Sequence, residues 1–150
     1  MSAHEKTAWW ALVSGLLIWC FLLMRFTEDW RVVDITPGFA VETYVQMIVL
    51  WIIASSVPGL LAAKRPADLV RDERDNAIEA LGDRWEGWVV IVAINVLVVQ
   101  LLADAHFVDR VPSVPKLDLG STNAIVFALL TVLFLADAVK RAVILWQYRR

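Results

Sequence analysis

The stretch Thr7–Met24, TAWWALVSGLLIWCFLLM, runs for 18 residues without a charge. At about 1.5 Å per residue it extends roughly 27 Å as a helix, close to the thickness of a bilayer's hydrocarbon core. It follows Lys6, as a secretory signal would. No small-residue cleavage site comes after it, and it ends at Arg25-Phe26, so it reads as an uncleaved helix. Three further apolar runs follow. Val41–Ala63 is closed by Lys64-Arg65-Pro66, with Pro58-Gly59 expected to bend or loosen its last turn. Trp85–Ala103 ends at Asp104. The last is apolar from Thr122 through Ala136 and emerges through Asp137, Lys140 and Arg141 to Trp146 and Tyr148. The expected fold is an all-α membrane protein. It is a single domain over 1–150, a four-helix transmembrane bundle with spans near 7–24, 41–63, 85–103 and 122–139, and an amphipathic cytoplasmic helix over 67–84.

Composition supports this. Hydrophobic residues make up 59% of the chain and charged residues 20%, against about half and about a quarter in soluble domains. A 150-residue globule leaves too much surface in water to hide that excess. A net charge of -2 supplies no basic surplus for direct binding of nucleic acid. The single cysteine, Cys20, excludes an internal disulfide and a two-thiol relay.

Orientation follows from Lys and Arg. Lys6, Lys64, Arg65, Arg71, Arg74, Arg84, Lys140, Arg141, Arg149 and Arg150 fall on one side, ten residues. Arg25, Arg31, Arg110 and Lys116 fall on the other, four. Ten against four predicts a multi-pass protein of the bacterial inner membrane with both termini cytoplasmic. Trp9, Trp10, Trp85, Trp88 and Trp146 gather at the cytoplasmic ends of their spans, as an interfacial aromatic belt does. The exterior loops are short. One contains the turn signal Thr36-Pro37-Gly38, the other the extended stretch Pro112–Pro115.

Between spans two and three, Pro66 and Asp68 predict a helix start. At about 100° per residue, Asp72, Asp75, Glu79, Asp83 and Glu86 share a stripe about 80° wide. Val70, Ala77, Ile78, Leu81, Trp85 and Trp88 gather opposite, and Gly82 is a candidate flexing point before span three. Arg71 can pair with Asp75 at i,i+4. The stripe is either the solvated face of a connecting helix or a docking surface, formed by Asp72, Glu73, Asp75, Glu79 and Asp83, for a basic protein partner. A metal site on Asp72, Asp75 and Glu79 is disfavoured, since one helix covers one side of an ion that wants about six oxygens.

Within the spans, Asn95, Gln100 and Asp137 are the polar groups of interest. A mid-span amide such as Asn95 favours an interhelical hydrogen bond over a ligand contact. Asp137 has Lys140 and Arg141 at i+3 and i+4 for local pairing, and Glu42 can snorkel outward. His4 and His106 lie on opposite sides, which excludes a bis-histidine haem. No His-Glu-x-x-His, phosphate-cradling glycine loop or first-span acid of the small multidrug exchangers is present. No catalytic residue, metal or cofactor is expected.

The segment Asp72-Glu73-Arg74-Asp75-x-x-Ile78-Glu79, followed by Gly82-Asp83-Arg84 before a span, resembles a family of small four-span prokaryotic integral membrane proteins with no assigned activity. The basic tail Val139–Arg150 is similar too. The resemblance covers Asp72 to Arg150, and the first two spans match only in hydropathy. Trp88 and the proline-containing outer loop depart from the pattern. Members are often encoded beside a small helix-turn-helix regulator, so the resemblance implies a cytoplasmic protein partner.

The leading expectation is therefore a non-enzymatic membrane protein that docks, and in this form sequesters, a small transcription regulator. An accessory structural subunit of a larger membrane complex is the alternative. A small channel or transporter would need oligomerisation to bring Asn95, Gln100 and Ser55 around a pore. Self-association into a homo-oligomer is compatible with the chain.

Overall fold

The computed structural model describes residues 3–28, 31–32, 36–62, 72–106 and 119–150. The helix start at Pro66–Asp68, the Arg71–Asp75 pair and the extended Pro112–Pro115 stretch lie outside the described residues. The expected all-α architecture is present: α1 (Ala3–Phe26), α2 (Pro37–Ala62), α3 (Glu73–His106) and α4 (Thr122–Tyr148). Each of the four is long and apolar enough to cross a membrane. Between α1 and α2, two-residue strands β1 (Thr27–Glu28) and β2 (Arg31–Val32) pair antiparallel.

Local chemistry sets the helix ends. The Thr36-Pro37-Gly38 turn signal is in fact the entrance to α2. Thr36 Oγ1 accepts the Phe39 N–H at 3.4 Å, and the Thr36 carbonyl accepts the Ala40 N–H at 3.1 Å. Proline suits this first position because its φ is preset and the missing N–H would have had no helical partner. Ser121 caps α4 the same way, its hydroxyl accepting the Ala124 N–H at 3.1 Å.

Pro58 does not end α2, which continues to Ala62. A proline inside a helix frees the carbonyl four residues earlier, here that of Ala54. In lipid a freed carbonyl needs a substitute donor, and the Trp10 indole N–H on α1 supplies it at 2.8 Å. Trp10→Phe is therefore expected to destabilise the α1–α2 contact by about 1–2 kcal/mol. Thermal unfolding in detergent checks this, with Trp9→Phe as the comparison.

The packing order across the bundle is α2, α1, α4, α3. Extensive contacts join α3 to α4, α4 to α1 and α1 to α2, leaving α2 and α3 as opposite flanks. One apolar cluster (Ile18, Leu22, Phe26, Met47, Leu130) ties α1, α2 and α4, with Phe26 and Phe127 stacked at 6.0 Å. A second (Ala8, Ile78, Ile144, Leu145) ties α1, α3 and α4 at the end holding both termini. At the opposite end Arg25 donates to Gln46, which donates to Glu42, and Glu42 stays exposed. Among the described residues twelve hydrophobic side chains are buried, while twenty-eight large ones are exposed. Water would not stabilise such a surface; hydrocarbon does.

Candidate functional site

The polar residues concentrate where the first turns of α3 meet the tail of α4 and the start of α1. Asp72 caps α3. Its Oδ1 accepts the Asp75 N–H at 2.7 Å, and its own N–H donates to Asp75 Oδ2 at 3.4 Å, a reciprocal cap. Among the described residues the helix expected over 67–84 thus begins at Glu73, and it continues unbroken through the third span to His106.

The acidic stripe faces α4. Asp75 accepts the Tyr148 hydroxyl at 2.7 Å, and His4 Nε2 lies 3.7 Å from its other oxygen. Lys140 bridges Asp83 at 2.5 Å and Glu86 at 3.0 Å. Between these contacts sits Gly82, where an added Cβ would come within 2.9 Å of Ile144 Cγ1 and 3.2 Å of Lys140 Cγ. The stripe is thus the polar continuation of the face that packs on α4 inside the span, which carries Val89, Ala93, Leu97 and Gln100. Trp85 and Trp88, opposite the stripe, are exposed, as members of an interfacial aromatic belt are. The amphipathic division holds only in part: Ile78 is buried against Ala8, Ile144 and Leu145, while Asp75 and Glu86 of the acidic stripe turn to partners on α4 and Asp72 and Asp83 stay exposed.

Gly82, named as a candidate flexing point, is a close approach, buried against α4, where a bulky side chain would hold the helices apart. Asp137 has its expected local pair in Arg141, Nε to Oδ1 at 3.1 Å, while Lys140 turns toward Asp83 and Glu86 on α3.

The docking residues named from sequence therefore divide. Asp75 and Asp83 are engaged within the chain, and Glu79 lines a small cavity of about 60 Å³ with His4, Thr7, Asp75, Arg141 and Tyr148. Asp72 and Glu73 stay exposed at the tip. Among the described residues no three His, Cys, Asp or Glu side chains group to hold a metal ion.

The intramembrane polar residues do not converge. Gln100 lies on the α4-facing side of α3, whereas Asn95 is exposed on the outer side. Asn95 Nδ2 donates to the Ile91 carbonyl of its own helix at 2.8 Å, and among the described residues it makes no interhelical bond of the kind expected inside the bundle. Ser55 bonds its own helix too, at the Ile52 carbonyl. A cleft of about 470 Å³ opens between α1, α2 and α4. Its walls include Trp10, Tyr44, Met47, Trp51 and Phe134, and its polar end holds Glu86, Asp137 and Arg141.

Sequence inspection missed His4, Lys140 and Tyr148 as partners of the stripe. A signal existed: Lys140, Ile144 and Tyr148 at i, i+4 and i+8 form one stripe of α4, and Gly82 and Glu86, four apart on α3, repeat the spacing of Lys140 and Ile144. Comparison with protein-family models, curated proteins and solved structures finds no match to this chain.

Proposed function

We propose that the chain is a non-enzymatic multi-pass protein of the bacterial inner membrane, with both termini cytoplasmic, that holds a cytoplasmic protein partner. The observation supporting this is the clamped tip of α3. Twelve residues, Glu73–Arg84, precede Trp85 and extend about 18 Å past the aromatic belt. Tyr148 and Lys140 hold that extension against the α4 tail. A mere connection would not need such fixing. A fixed helix tip offers Asp72 and Glu73 to a partner without a further ordering cost on binding.

The partner chemistry is a basic surface, and the candidate is a small helix-turn-helix regulator of the kind encoded beside the proteins this chain resembles. Its DNA-reading surface would meet the acidic tip, so membrane docking and DNA binding would compete. The test is co-purification of the neighbouring regulator with Asp72→Asn/Glu73→Lys, which removes both tip charges but keeps a capping side chain at 72 and so leaves the clamp intact. Recovery is expected to fall at least about tenfold, as the loss of two charge contacts predicts. Undiminished recovery rejects the docking tip.

A further inference from the structure

The outer face of α3 carries a pattern that the single chain does not use. Trp88, Ile91, Asn95, Val98 and Leu102 recur at spacings of 3, 4, 3 and 4, the seam of a heptad repeat. All five are exposed, Trp88 by 58% and Leu102 by 56%. The helix's extensive packing is with α4, on the opposite side. Asn95 sits at the centre of the seam and near the middle of the span. Its Nδ2 bonds only its own helix, and its Oδ1 accepts no hydrogen bond among the described residues.

A primary amide facing hydrocarbon with an idle acceptor is unfavourable, and association relieves it. The chemistry of the group selects the partner. An amide is donor and acceptor at once, so it is complementary to another copy of itself. Two copies inserted with the same orientation can be related by a twofold axis along the membrane normal. A residue close to that axis meets its own counterpart at the same depth. In a parallel two-stranded seam, Asn at one a position fixes register and limits assembly to two. The other flank, α2, offers no such exposed amide: Gln46 is engaged by Arg25 and Glu42, and Ser55 and Ser56 each commit their single donor to the Ile52 carbonyl.

We infer that the outer face of α3 is the interface of a parallel homodimer, with Asn95 bonded to the partner's Asn95 across the axis. This shares with the proposed function only that α3 crosses the membrane. It requires neither the docking tip nor any regulator.

The test is disulfide cross-linking in native membranes on a Cys20→Ser background of the full chain. Single cysteines are placed at Ile91, Val98 and Leu102 on the seam, and at Ile94 and Val96, also exposed but on either side of it. The expected result is a cross-linked dimer at the three seam positions and little at the two flanking ones. In a separate dilution series in lipid, Asn95→Leu should weaken the dimer about three- to tenfold, as for interhelical polar bonds in membranes, while Asn95→Gln retains most of it. Uniform cross-linking at all five positions, absence of dimer in membrane fractions that contain the protein, or cross-links to a different protein alone would overturn the inference. Loss of regulator binding with the seam cross-links preserved would count against the docking tip only.

Discussion

Gly82→Ile is expected to lift the first three turns of α3 off α4. At this position even a Cβ falls 2.9 Å from Ile144 Cγ1 and 3.1 Å from its Cδ1, and Ile144 is itself buried. A branched side chain must displace Ile144 and Lys140 together. Overpacking of this kind costs about 1–3 kcal/mol, and the displacement also pulls Lys140 from Asp83 and Glu86. Gly82→Ala should lie much closer to the parent, because a gain of about 1 kcal/mol in helix propensity opposes the overlap. Hydrogen exchange of the amides over 73–84 in detergent or nanodiscs reads the effect directly. Protection there should fall at least tenfold in the isoleucine variant, with the span of α3 unchanged. Equal protection in both proteins would show that the close approach at Gly82 is not what holds the extension down.

Lys140→Glu should produce a comparable opening by a different route. The ammonium group serves two carboxylates at once, with its side chain only 16% exposed. Reversal gathers three carboxylates in that space. Breaking a fully buried pair costs about 3–5 kcal/mol. Asp83 is more than half exposed, so water screens part of the repulsion and about 2–3 kcal/mol is expected. Adding Glu86→Lys restores an opposite-charge contact and should recover at least half of the loss. A single variant as stable as the parent, or a double variant with no recovery, would show that this ion cluster contributes nothing to the packing. The loss should also shrink as salt rises, which separates it from the steric effect at Gly82.

The spans were legible because hydrophobic length is a one-dimensional property, and lipid imposes it on each segment separately. Thr7–Met24 can be recognised with no knowledge of its neighbours. The continuity of α3 was legible only in part, since no proline stands between Glu73 and the third span but Gly82 does. The pairing of faces was not. Whether Asp75 and Glu86 look at water or at α4 depends on what α4 presents, and a carboxylate stripe has the same periodicity in either case. Pro58 shows the same limit. Its weakening of the helix is local and predictable, whereas the donor that compensates it comes from Trp10, forty-four residues away in sequence. Asn95 was recognisable as a mid-span amide in need of a partner, but only the placement of α4 on the other side of the helix shows that α4 does not supply it.

The uninterrupted course of α3 has a mechanical meaning. With 34 residues it is a rod about 51 Å long, of which the bilayer grips only one section. Since α4 is fastened alongside it, the pair must lean as one body when bilayer thickness changes. A lean of about 10° swings the Asp72 end sideways by about 3 Å. Any tilt of that section is thereby enlarged at the Asp72 end, which lies farthest from it.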